Sequence, residues 1–217
     1  THVILYIFSF FYRLLVISRN WLYDKQVFTS VNLSCPVISV GNITVGGTGK
    51  TPCVIMLAKI LQKNGFNPAV LSRGYGGKKA KKVNVVSDGS NIILAAEVAG
   101  DEPLMIARAL PGVPVITGAK RTATGSAAII DFGANIIICD DAFQHRQLAR
   151  DINIVLLNTE KPLGNGFLLP AGPLREPPSS LKRADFIVRT GDDTRITTIS
   201  SAKPEYYARH QAMAIVN

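Results

Sequence analysis

One run of residues has types and spacing suited to phosphate chemistry: Thr44-Val45-Gly46-Gly47-Thr48-Gly49-Lys50-Thr51. An apolar, β-branched stretch at 36–40 precedes it, and a helical pattern over 50–64, closed by Gly65, follows. Glycines let such a loop fold tightly enough for successive backbone N–H groups to face phosphate oxygens, and the helix N-terminus adds its dipole. In that setting Lys50 reaches the β- and γ-phosphates, and the Thr51 hydroxyl ligates Mg²⁺. The usual G-x-x-x-x-G-K-[ST] spacing has glycine where Thr44 stands, so Gly46 and Gly47 are expected to relieve the loop instead. No Asn-Lys-x-Asp guanine motif occurs, which tilts the ligand toward ATP, expected with Mg²⁺.

Phosphoryl chemistry also needs acids for the metal. An apolar strand pattern over 135–139 runs into Asp140 and Asp141. In a parallel sheet that strand end lies beside the phosphate loop, so both carboxylates suit Mg²⁺. A third acid, Asp101, precedes a helical stretch at 102–110 with Pro103 in its first turn, and on the residues alone helix capping accounts for it. Cys35, Cys53 and Cys139 fit neither a zinc spacing nor a disulfide framework and suit a reducing compartment. His2, His145 and His210 do not cluster as ligands.

The elements that must position these groups alternate. Strands are expected at 36–40, 68–71, 83–86, 113–117, 135–139, 152–157 and 185–189, with helices over 50–64, 102–110 and 121–132, the last closed by Gly133. Unbroken Ile/Val runs mark strands buried on both faces. The fold class is therefore α/β: a P-loop NTPase with a doubly wound, mostly parallel sheet and an N-terminal amphipathic helix. The 217 residues are 47 % hydrophobic and 18 % charged, which excludes a disordered chain. Lys+Arg outnumber Asp+Glu 24 to 15, a net charge of +9 that suits a nucleotide, a nucleic acid or an anionic membrane without choosing among them. The basic loop at 74–82 stands equally as a solvated loop or an anion patch.

Residues 3–17 are apolar and aromatic, with Trp21 and Tyr23 beyond. On a helix His2, Ser9, Arg13, Asn20 and Asp24 share one narrow polar face. This describes a helix lying in a membrane interface; packing against a core or a partner is the alternative. Arg13 in mid-segment argues against a spanning helix.

Five ordered motifs complete the picture: SVGNITVGGTGKTP at 39–52, LSRGYGG at 71–77, GDEPL at 100–104, DDAFQHR at 140–146 and GNGFLLPAGPLREP at 164–177. Together they resemble the tetraacyldisaccharide 4′-kinases of Gram-negative bacteria. The resemblance implies transfer of the γ-phosphate of ATP to the 4′-hydroxyl of a tetraacyldisaccharide 1-phosphate, giving lipid IVA. It also implies a peripheral enzyme on the cytoplasmic face of the inner membrane, whose partners are that acylated disaccharide and the membrane surface. No nucleic acid and no obligate protein partner are implied. It makes Asp101 the base on the sugar hydroxyl, overturning the capping assignment, and gives Arg121 a functional role beside Lys50. It places Asp140 and Asp141 on Mg²⁺, and Gln144, His145, Arg175 and Glu176 as possible additional site residues. Ala142 stands where the family has Gly, implying a local backbone adjustment. The domains implied are a membrane-interface helix at 1–24, a P-loop kinase domain at 25–190, and the start of a truncated C-terminal region at 191–217. Family members continue further and carry an Asp-His-His motif that this sequence lacks. A nucleotide-binding but catalytically incomplete fragment, or a P-loop ATPase acting as a partner-binding switch, are the competing readings.

Overall fold

The computed structural model of the chain describes residues 2–74, 83–191 and 203–209. In chain order the elements are α1 (His2–Asp24), β1 (Val37–Gly41), α2 (Lys50–Lys63), β2 (Pro68–Ser72), β3 (Asn84–Ser87), α3 (Ala96–Ala99), α4 (Asp101–Ala109), β4 (Val115–Thr117), α5 (Arg121–Phe132), β5 (Ile136–Asp140) and β6 (Ile152–Asn158). A 3₁₀ turn at Pro178–Arg183, β7 (Phe186–Thr190) and β8 (Glu205–Ala208) follow. Several expected strands end one residue later than the apolar runs suggested, because the ladder continues through Gly41, Ser72 and Asp140. The turn at 178–183, α3 and β8 are additions to the expected set; each is short and carries no apolar periodicity. The basic loop at 74–82, beyond Gly74, lies outside the described residues, as does most of 191–217.

The chain divides into two units. The larger holds Phe28–Gly41 and Lys50–Asn153. Its strands run in the order β3-β4-β2-β5-β1. All pairs are parallel except β3 with β4. Strand side chains alternate in direction. One face gathers Val37, Ala69, Leu71, Ile116, Ile137 and Cys139 with Ala128 of α5. The intervening residues point the other way, and α2 packs on β1, β2 and β5 while α4 packs on β3 and β4. Helices on both faces explain the unbroken Val/Ile runs: every residue of β1, β2 and β5 is buried.

The smaller unit holds Thr1–Val27, Asn42–Gly49 and Ile154–Asn217. Within it β6, β7 and β8 pair in parallel. Arg189 of β7 is buried and its Nε donates to Glu205 Oε2 of β8 at 3.1 Å. The helix α1 lies on the segment between β6 and the 3₁₀ turn. Ser9 Oγ donates to Leu168 O (2.7 Å), Tyr12 OH to Arg175 O (3.0 Å) and Asn20 Nδ2 to Glu176 Oε2 (3.0 Å). Tyr6 meets Phe167 edge to face. Ser9, Val16 and Asn20 form the buried stripe, whereas Phe8, Phe10, Phe11, Leu15 and Trp21 are exposed. Two members of the expected polar face, Ser9 and Asn20, therefore point at protein, and the apolar face is the one left open. By length and a mean hydropathy of 1.4, α1 is apolar enough to cross a membrane.

Candidate active site

Parallel strands end on a common edge, so their C-terminal residues converge. In the larger unit that edge carries Ser72 at the end of β2, Asp140 at the end of β5 with Asp141 next, and Arg121 opening α5 after β4. Lys50 and Thr51 open α2 there. The Lys50 ammonium lies 3.7 Å from Asp141 Oδ1. Asp140 is 2 % exposed; its Oδ2 accepts from Ser72 Oγ (3.2 Å), and its Oδ1 has no partner. Burial first, then the charges of Asp141 and Glu102, push the Asp140 carboxyl up to about 6, against the pull of Lys50 and Ser72. A buried carboxylate with an unpartnered oxygen beside a second carboxylate suits a bound cation. The oxygens of Asp140, Asp141 and the Thr51 hydroxyl are hard donors, so the residues fit Mg²⁺. Among the described residues no group of three or more His, Cys, Asp or Glu forms a self-sufficient metal cage.

The glycine-rich loop belongs to the smaller unit. Its start is laced to the segment at 173–175: Val45 N–H donates to Pro173 O (2.8 Å), and Arg175 N–H to Ile43 O (2.7 Å). Thr44 is thus held in an antiparallel bridge to Leu174, an extended conformation that needs no glycine. The left-handed conformations fall on Gly46 (φ 108°) and Gly49 (φ 76°). This corrects the expectation for Gly47, whose φ is not positive; Gly49 takes that role with Gly46. Asn42 Nδ2 donates to Thr48 Oγ1 (3.0 Å) and pins the two ends of the loop to each other. None of the N–H groups of Gly46, Gly47, Thr48 and Gly49 bonds another described backbone group. These donors suit an anion.

Asp101 is the first residue of α4, is exposed, and makes no side-chain cap; the N-cap is Gly100, at φ 88°. The capping explanation drawn from the residues alone is thereby removed. Arg121 is 3 % exposed. Its Nη1 donates to Gly118 O (2.8 Å) and its Nη2 to Asp140 O (3.2 Å). Burial lowers its pKa, with Cys139 and Asp140 opposing. The guanidinium thus grips the main chain of the acid turn. Ala142 is not at a positive φ: that falls one residue earlier, on Asp141 (φ 48°), while Ala142 is buried and donates its N–H to Val40 O (3.4 Å). His145 N–H donates to Ala142 O (2.9 Å), and Arg146 N–H to Gln144 O (3.0 Å), closing the turn.

Glu176 is fully buried in the smaller unit. It receives Asn20, Arg19 (3.3 Å) and Arg183 (2.7 Å). Its carboxylate, with the Arg175 carbonyl, ties α1 to the 3₁₀ turn. Three residues of the larger unit join the site beyond those expected from the sequence: Ser72, Glu102 and Arg150. Ser72 was legible as the polar end of a strand; Glu102 and Arg150 carried no such signal.

The family model for tetraacyldisaccharide-1-P 4′-kinase matches residues 1–217. A tetraacyldisaccharide 4′-kinase of Syntrophus aciditrophicus (strain SB) is 59 % identical over 190 residues, which is 87 % of this chain and 51 % of that protein. One of Desulfatibacillum aliphaticivorans is 42 % identical over 97 % of this chain and 58 % of its own length. The chain spans about half the length of the curated relatives it matches. The crystal structure of the "apo" form of LpxK from Aquifex aeolicus in complex with ATP superposes with a TM-score of 0.86 at 42 % identity, covering 92 % of this chain and 62 % of that one. The fold is that of a P-loop NTPase, and the chain belongs to the tetraacyldisaccharide-1-P 4′-kinase family.

Proposed function

We propose that this chain carries the nucleotide site of an ATP-dependent kinase acting on the 4′-hydroxyl of a tetraacyldisaccharide 1-phosphate. The observation that carries the reading is the Lys50–Asp141 approach at 3.7 Å beside the unpartnered oxygen of Asp140. Lysine, paired acids and a hydroxyl in one cluster are what phosphoryl transfer needs, because the reaction is positioning plus neutralisation of charge. Lys50 neutralises the phosphates, and the N–H groups of 46–49 cradle them. Asp140, Asp141 and Thr51 would hold Mg²⁺, which when bound neutralises phosphate charge. Asp101 stands exposed at the head of α4, available to take the proton of the attacking hydroxyl. Arg121 fixes the Asp140 carbonyl and so the aim of the acids. Arg175 and Glu176 hold the start of the loop and α1. Gln144 and His145 shape the turn after the acids.

The acceptor is a lipid, so the enzyme works at a membrane surface. The exposed apolar face of α1 supplies a docking face on the cytoplasmic side of the inner membrane, with Trp21 at the headgroup level. Incubating the chain with ATP, Mg²⁺ and the tetraacyldisaccharide in mixed micelles tests the reading. Phosphate transfer to the lipid, lost in Asp101→Ala while ATP still binds, is the expected result. ATP binding with no lipid product would leave the fragment reading; ATP hydrolysis stimulated by protein or DNA would favour the switch.

A further inference from the structure

We infer that Arg150 is a positioning residue for the two site carboxylates, acting through the main chain of the turn that carries them; this rests on the nucleotide-kinase reading above. One nitrogen, Nη1, donates toward three carbonyl oxygens: Ala142 at 3.0 Å, Phe143 at 3.3 Å and His145 at 3.1 Å. Three carbonyl dipoles aimed at one point repel each other unless a cation sits there. The arrangement is therefore a turn built around a guanidinium, and Arg suits it because its charge persists at every working pH.

The turn has reason to need a clamp. It opens on Asp141 at φ 48°, a left-handed conformation that is uncommon outside glycine, although Asp adopts it more readily than most residues. Phe143 is fully buried against the end of β1, where Gly41 leaves no room for a side chain. On the other side Arg121 Nη2 holds the Asp140 carbonyl. Asp140 and Asp141 thus lie in a stretch whose main-chain carbonyls two arginines hold, Arg121 at 140 and Arg150 at 142, 143 and 145.

The segment that delivers Arg150 is itself fixed. The neighbouring Asp151 Oδ2 accepts the Val37 N–H at 2.7 Å, pinning the chain to the start of β1. On the other side Ala149 N–H donates to Val31 O (2.9 Å) and Val31 N–H to Gln147 O (2.8 Å). Without the guanidinium the three carbonyls have no common donor and move apart. Asp141 then relaxes from its positive φ, and its carboxylate leaves Lys50. Outer groups of this kind typically change metal affinity by roughly 10–100-fold when removed.

The test uses Arg150→Ala and Arg150→Lys in the full chain, with a fluorescent ATP analogue titrated in EDTA and across Mg²⁺ concentrations. The Mg²⁺ needed for half-maximal tightening should rise about tenfold in Arg150→Ala and less in Arg150→Lys, while affinity in EDTA stays within about twofold. Hydrogen exchange should quicken at 142–146 and not in α2 or α5. A folded variant with unmoved Mg²⁺ dependence, or with unchanged exchange at 142–146, overturns the inference. So does an equal loss of affinity with and without metal, which marks a general folding defect. Should Arg150→Ala not fold, the exchange pattern of Arg150→Lys decides. Absence of Mg²⁺-dependent binding in the unsubstituted chain would instead overturn the nucleotide reading, and this inference with it.

Discussion

Lys50 Nζ sits 3.7 Å from Asp141 Oδ1, with both side chains mostly buried. The ammonium lies beside an acid pair in which burial, with the charge of Asp141, pushes the Asp140 carboxyl up to about 6. Lys50→Met should weaken ATP binding about 100-fold, since it removes a charge aimed at the phosphates. Asp141→Asn should leave binding in EDTA near normal and abolish its Mg²⁺ dependence. Isothermal titration with and without Mg²⁺ separates the two.

Gly41 has its own reason to be glycine. A Cβ there would stand 2.6 Å from Phe143 Cβ and 2.8 Å from Phe143 N, and backbone cannot yield as a side-chain tip does. Gly41→Ala should cost about 1–3 kcal/mol by overpacking. Urea unfolding measures the cost, and a rise in the Mg²⁺ requirement would show that the acid turn has moved.

Glu176 should behave as a buried ionic centre. Glu176→Ala removes the buried carboxylate to which Arg183 and Asn20 donate and should cost about 3–5 kcal/mol. Glu176→Gln keeps the shape but only part of the bonding, and should fall between. Chemical denaturation gives the ordering, with the loss greatest for Ala.

The apolar face of α1 makes a prediction about lipid. Phe8 is 60 % exposed and Leu15 70 % exposed, so replacing both by Asp should leave the melting temperature within a few degrees. Burial of one such side chain contributes roughly 1.5–3 kcal/mol, so partition into anionic vesicles should fall more than tenfold. Flotation with unchanged binding would remove α1 from the docking surface.

The cysteines should be quiet. Burial pushes the Cys53 and Cys139 thiols up to about 11 from the ordinary 9.0, and raises Cys35 in the same direction. Iodoacetamide at pH 8 should label Cys53 and Cys139 only on unfolding, since the thiolate is the nucleophile. Between pH 9 and 11 the folded chain holds thiol protons that the unfolded chain has released. These two groups therefore make stability fall as pH rises through that window.

The local chemistry was legible along the chain because it is local. The loop with its Lys-Thr, the strands as apolar runs, α5 with its Gly133 closure and the acids at the end of β5 each depend on neighbours within a few residues. Five motifs in order carried the family as well. Residues joined across long stretches of chain were not legible. Glu176 meets Asn20 and Arg19, and the start of the glycine-rich loop meets 173–175. Arg150 is nearer its three carbonyls in sequence, but no periodicity marks an irregular turn whose positive φ falls on Asp141 rather than Ala142. Asp101 and α1 show the same division. A carboxylate before a helix reads as a cap until the backbone places Gly100 there, and an amphipathic pattern cannot say which of its faces meets protein. Residue type and spacing specify which groups can act, because they are properties of the chain. Partners, burial and the aim of a carboxylate arise from packing, where segments far apart in sequence compete for the same donors and the same space.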